Sequence, residues 1–377
     1  MISSAVEKVF ANSLQIDSGL KRTMQVLQAH EYFLVRIQKD VKFRALRGRG
    51  VPDTLVVCRR KLSALETADV RVKVEFVDGD FLAPCDADEL RQRVEFLRGK
   101  MFLCTNTEIQ APPDIVASLR AYQHLYHECD QTLFLGWDWD NHHHLHISSI
   151  FALNTDFYFP SHRANDYDLS RMGANMFHIP LSGHQWTRET LMDHIDVILQ
   201  ADRTVDVFGN FVKYALFPYR NQVITTLNAA VPSIRLLHVD PPEGGPASPD
   251  AQTYKKYQEK SDREKIAEWS SAKWHWVVPT LNDLSTRVFD ALQCGTGVVL
   301  PNIFRGFKEL SGLDPRDIVW HSDLDITDPT RVIREIREKY VRSGKDGILR
   351  RHRIGTDLHV LGSRVQTMLD CVQTAWT

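Results

Sequence analysis

Two short stretches of this chain carry residue types that do chemistry. Residues 284–302 read LSTRVFDALQCGTGVVLPN: a Ser-Thr pair, an amphipathic helix, a Cys-Gly-Thr-Gly break and an apolar strand. Ser285 and Thr286 stand where N-cap hydroxyls belong, which leaves the backbone N–H groups behind them to take phosphate oxygens. Asp290, about one turn further on, is placed to accept from ribose hydroxyls, as the acidic residue of a dinucleotide fold does. Gly295 and Gly297 permit a tight reversal into the strand. The block reads as a holder for a nucleotide diphosphate. Residues 137–146 read WDWDNHHHLH and follow the apolar run TLFLG. Carboxylates and imidazoles at a strand end suit proton transfer or the steadying of developing positive charge.

The second stretch admits three chemistries. Asp138 and Asp140 form an Asp-x-Asp, a spacing that holds a divalent ion against a diphosphate. His142, His144 and His146 alternate, so on an extended segment they share a face, as metal-binding imidazoles do. Alternatively, the histidines are polar loop residues. The residues alone leave all three open.

The elements that must position these groups alternate along the chain. Strands are expected at 72–76, 100–104, 132–136 and 156–159, with helices at 19–39, 87–98, 113–128, 148–153 and 188–199. The later half predicts strands at 204–208, 233–239, 274–278, 298–300 and 317–320, with helices at 217–230, 254–269, 331–340 and 360–372. PPEGGPASP (241–249) sustains neither a helix nor a ladder and reads as an exposed loop. RALRGRG (44–50) reads as a basic loop, either solvated or meeting an acidic acceptor through Arg44, Arg47 and Arg49. Such alternation means α/β structure with parallel sheets and ligands at the strands' carboxyl ends. The boundaries expected are an N-terminal Rossmann-like domain over 1–200, a second over 201–355, and a last helix within 356–377 that crosses back.

Ser285, Arg287, Phe289, Asp290, Ala291 and Gly295 make a run that resembles the donor-binding signature of GT-B glycosyltransferases. Bacterial group-1, spore-coat-type and exostosin-like enzymes are the nearest branches. The resemblance is specific within this block and looser, in element order, over most of the chain. It implies two Rossmann-like domains facing a cleft, with a nucleotide sugar on the C-terminal one. A glycan or lipid-linked acceptor, as in cell-surface polysaccharide or glycoconjugate synthesis, would sit on the N-terminal one. Donor contacts are implied for Gly209, Lys213, Thr280, Ser285, Thr286, Arg287 and Asp290. Catalytic roles fall to Asp138, Asp140 and His142, and the acceptor side to Arg47, His162 and His184. Lys213 is the basic side chain expected against the donor phosphates; Arg220, inside a helix, reads as solvated. No metal and no cofactor beyond the donor substrate is implied. In one departure, the family's two glutamates eight positions apart are Asn282 and Asp290 here, so sugar and stereochemistry stay unassigned. Other classes remain: a metal-dependent GT-A-like transferase using Asp138 and Asp140, a histidine-cluster hydrolase, and a nucleotide-binding protein without turnover.

Composition sets outer bounds. With 377 residues and 43% hydrophobic content, the chain has enough material for two cores. A net charge of -2 supplies no polycation for nucleic acid. The six cysteines form no Cys-x-x-Cys pair, which suits a reducing compartment. The first residues do not read as a signal peptide, so a cytoplasmic protein is expected. Arg350, Arg351 and Arg353 suit weak peripheral contact with an anionic membrane.

Overall fold

Apolar runs bounded by glycine, proline and polar turns form two sheets in the computed structural model. It describes residues 39, 41–59, 62–110, 115–139, 145–163, 175–212, 218–239, 259–279, 284–310 and 312–376. The first sheet contains β1 (Thr54–Cys58), β2 (Lys73–Val77), β3 (Met101–Thr105), β4 (Leu133–Asp138), β5 (Phe157–Pro160) and β6 (Asn175–Met176). Its order is β2-β1-β3-β4-β5-β6. The second contains β7 (Val205–Val212), β8 (Ile234–Val239), β9 (Ala272–Trp276), β10 (Gly297–Pro301) and β11 (Ile318–His321), in the order β11-β10-β9-β7-β8. Every pairing among these strands is parallel. Both sheets therefore share one winding, with the first strand of each set between the second and third. That winding sends the connection after the first strand of each sheet to one face and the later crossover helices to the other, and opens a crevice at the strands' carboxyl ends. The crevices fall between β1 and β3, and between β7 and β9.

Strand alternation divides each sheet's two faces. Leu55 and Val57 enter one core, Val56 and Cys58 the other. The last helix, Leu361–Trp376, lies on the first sheet through Leu361, Val365, Met368, Leu369 and Val372. Each such side chain contributes about 1.5–3 kcal/mol by leaving water. In the second sheet, Val298 and Leu300 face the helix Arg287–Gln293, while Val299 faces the helix Pro218–Ala230.

Several expectations are corrected. β1 goes unread in the sequence, because its four-residue apolar core is too short to show a period. β7 runs straight through Gly209, where a Cβ would lie 2.5 Å from the Phe211 ring and 2.8 Å from Leu236. Packing inside a strand, and not a phosphate loop, demands this glycine. Residues 41–47 are helical, so Arg44 and Arg47 do not sit in a loop. The expected helix at 188–199 is two, Arg188–Asp193 and Ile195–Gln200, and both join the second core through Leu191 and Ile198. The helix expected at 331–340 extends over Thr330–Asp357 with a kink at Gly344. Arg350 and Arg351, expected at an anionic surface, both donate to Asp317, at 2.7 and 2.9 Å. Of the helix expected at 19–39 only residue 39 is among the described residues, and the loop at 241–249 lies outside them. All six cysteines are free. Among the described residues no helix is long and apolar enough to cross a membrane.

Candidate functional site

The crevice of the second sheet opens where β7 ends in Asn210, Phe211 and Val212, beside the end of β9. Arg220 lies in the first turn of the helix Pro218–Ala230, on one face of the sheet. It is only 3% exposed, its Nε donates to the Val278 carbonyl at 3.2 Å, and its guanidinium lies 5.2 Å from the Phe211 ring centroid. Arg287 opens the helix on the other face. Its Nε donates to the Asn210 carbonyl, and its guanidinium lies 5.4 Å from the same ring. Two cations thus converge from opposite faces on one aromatic ring at the switch point. Cation–π attraction helps hold them there, and their forked donors match phosphate oxygens. Tertiary packing, not solvation, sets the fate of Arg220.

The signature helix differs in detail from its sequence reading. It has seven residues, and Thr286 precedes it in helical geometry without a side-chain cap bond. The Ser285 hydroxyl accepts from the Arg287 backbone N–H at 3.4 Å and from its guanidinium at 3.3 Å, so Ser285 caps the turn and aims the arginine. Asp290 is turned into the fold. It is fully buried, and its carboxylate accepts from the His184 N–H at 3.1 Å and from Gln185 Nε2 at 3.0 Å. Burial pushes its pKa up. The segment carrying His184 covers Asp290, so the helix face read as ribose-binding is an anchor for that segment. Gly295, at φ 67°, makes the tight turn expected before β10.

The first sheet's edge is built around Trp139. Asp138 ends β4 fully buried; its carboxylate accepts from the Tyr158 hydroxyl at 2.7 Å, and its carbonyl from the Ser161 N–H at 2.9 Å. The Trp139 N–H donates to Asn106 Oδ1 at 2.8 Å, and its carbonyl accepts from His162 Nε2 at 3.0 Å. The Trp139 ring meets the His184 imidazole edge-on at 5.6 Å. Asp138, His162 and His184 are thus brought together. Asp138 points inward, so it braces the strand ends, while the His184 side chain remains 33% exposed. Arg47 is elsewhere. The helix at 41–47 feeds the amino end of β1, so Arg47 sits on the opposite edge, donating to the Trp376 carbonyl at 2.7 Å.

The two edges touch. His184 Nδ1 stands 3.9 Å from Asp290, and Glu309, shortly after β10, accepts from Arg163 at 3.3 Å and lies 3.2 Å from His178 Nδ1. Burial lowers the pKa of His178 while Glu309 pulls it back up. No sequence signal marks Glu309, Asn106 or Phe211. Asp140, His142, His144, Lys213, Thr280 and Asn282 lie outside the described residues; in sequence they follow β4, β7 and β9. Among the described residues no cluster of His, Cys, Asp and Glu has the arrangement of a metal site.

The class this geometry defines is α/β with two Rossmann-like units. No family model matches the chain, and no curated protein matches it. Among solved structures it is similar to HepE of Anabaena in complex with UDP-glucose, at 12% identity over 90% of this chain and 94% of that one, TM-score 0.49. It is similar to an alpha,alpha-trehalose-phosphate synthase (UDP-forming) from Burkholderia vietnamiensis, at 11% identity over 85% and 99%, TM-score 0.45. A sucrose-phosphate synthase from Thermosynechococcus elongatus gives 14% identity over 77% and 78%, TM-score 0.46. Identities this low leave the activity of this chain to be argued from its own residues.

Proposed function

We propose that this protein is a glycosyltransferase that moves a sugar from a nucleotide-activated donor to a glycan or lipid-linked acceptor. The observation that carries the reading is the convergence of Arg220 and Arg287 on Phe211 at the second sheet's switch point. Their guanidinium groups would hold the donor diphosphate and neutralise it as it leaves. Across the junction, the half-buried His184 imidazole, backed by Asp290, is the group to take the acceptor proton or steady positive charge. Asp138 fixes the strand end that presents Trp139. Asp140 and His142, next in sequence, keep the catalytic roles the resemblance implies, and Lys213 and Thr280 their donor roles. Closure of the two edges would exclude water and protect the donor from hydrolysis. The chemistry needs no metal, and the setting is cytoplasmic.

Calorimetric titration with UDP-, GDP-, CMP- and TDP-linked sugars, run beside a transfer assay, tests this reading. Binding of one donor that Arg220→Ala and Arg287→Ala both weaken is expected. A chain that binds none of them would end it. Activity should survive exhaustive chelation. Loss on chelation with rescue by magnesium or manganese would favour a carboxylate clamp at Asp138 and Asp140. A second reading, nucleotide binding without turnover, is favoured by Asn282 and by the inward turn of Asp290. Tight donor binding without transfer or hydrolysis would establish it.

A further inference from the structure

Glu309 has an incomplete set of partners. Its side chain is 5% exposed, and one carboxylate oxygen accepts from the Arg163 guanidinium and lies 3.2 Å from His178 Nδ1. The other oxygen, Oε2, is buried with no hydrogen-bond partner among the described residues. A buried charged oxygen without a donor is an unfavourable arrangement, and native structures rarely keep one without a reason. The two donors are not sealed in: Arg163 is 48% exposed and His178 22%. They can be reached from solvent, and the carboxylate between them is the group that is covered.

Their position in the fold gives them a role. Arg163 follows β5 and His178 follows β6, on the edge that holds Trp139, His162 and His184. The Phe307 ring lies 5.7 Å from the Arg163 guanidinium and steadies it from the second unit's side. We propose that Arg163 and His178 form a subsite for an anionic substituent, phosphate or carboxylate, on the sugar acceptor, and that Glu309 fills it while it is empty. This deepens the glycosyltransferase reading and rests on it. A phosphate or carboxylate arriving from solvent offers acceptor oxygens to both donors and keeps its remaining oxygens hydrated. Glu309 would then be released toward water. Because Glu309 belongs to the second unit, its release reports acceptor arrival across the junction.

The test is calorimetry on the full chain with glucose 6-phosphate, glucuronate and glucose, with UDP titrated in parallel. At least one anionic sugar should bind about tenfold or more tightly than glucose. An advantage for the phosphate alone assigns a phosphate subsite; one for glucuronate alone assigns a carboxylate subsite. Arg163→Ala should erase the advantage, and Arg163→Gln should do the same with less disturbance of packing. Glucose and UDP affinities should stay within about threefold. Glu309→Gln should strengthen anionic-sugar binding about three- to tenfold, because a competing charge is removed. No anionic advantage in the natural protein, an advantage that survives both Arg163 variants, or weaker anion binding in Glu309→Gln would each overturn the subsite. If UDP still binds in those cases, only the subsite falls. Absence of UDP and donor binding removes the transfer reading instead.

Discussion

The two sheets repeat one winding yet end in different chemistry. At the carboxyl edge of the second, two guanidinium groups arrive from opposite faces over Phe211. At the edge of the first, a buried aspartate and two imidazoles surround Trp139. Topology supplies each unit with a crevice; only the edge residues say what the crevice takes. A cationic edge suits a diphosphate, and an aromatic and imidazole edge suits a sugar hydroxyl. The scaffolds also differ. Asp156 holds the first unit with Lys42, Tyr126 and a backbone N–H, whereas Asp317 holds the second with Arg350 and Arg351.

The largest effect should come from that second scaffold. Asp317→Ala leaves Arg351, 1% exposed, without its carboxylate and should cost about 3–5 kcal/mol of stability. Urea melts would show it, and a change within error would mean that Arg350 and Arg351 simply turn out to solvent. His184→Ala should next lower turnover a hundredfold or more, the lower end of acid–base contributions of about 100- to 10,000-fold, with donor affinity held within about threefold. Equal losses in both quantities would erase the division of labour between the edges. Arg287→Ala should weaken donor binding by about 1.5–3 kcal/mol, the range for a charged hydrogen bond. An unchanged calorimetric titration would move the donor away from Phe211.

The smallest effect concerns pH. Burial holds the His275 pKa down to about 3, so between pH 3 and the unfolded value the unfolded chain binds more protons. Stability should therefore rise with pH across that window, and His275 alone should cost about 2 kcal/mol on going from pH 7.5 to pH 5. His275→Phe should flatten this dependence in melts at the two pH values. If acid loosens the first unit before the second, as read by hydrogen exchange, the histidine account of the second core is wrong.

Local patterning made most elements legible before any contact was known. The apolar run before Asp138 and the break at Gly295 each act within a few residues, and each reappears in the structure. β1 escaped because a short apolar run carries no period. Glu309 escaped because its meaning lies in Arg163 and His178, more than a hundred residues away in sequence.

By itself, the sequence determined the alternation of strands and helices, hence two parallel sheets with sites at their carboxyl ends. Those features follow from side-chain periodicity and backbone preference, which are local. Where each polar group points was decided only in three dimensions. Asp290 and Arg287 belong to one seven-residue helix, yet the first is buried beneath His184 and Gln185 while the second reaches Asn210 and Phe211. Asp138 turns to Tyr158, and Arg47 lands on the far edge beside Trp376. Burial and pairing depend on which distant segments pack against a residue, and no local spacing records that.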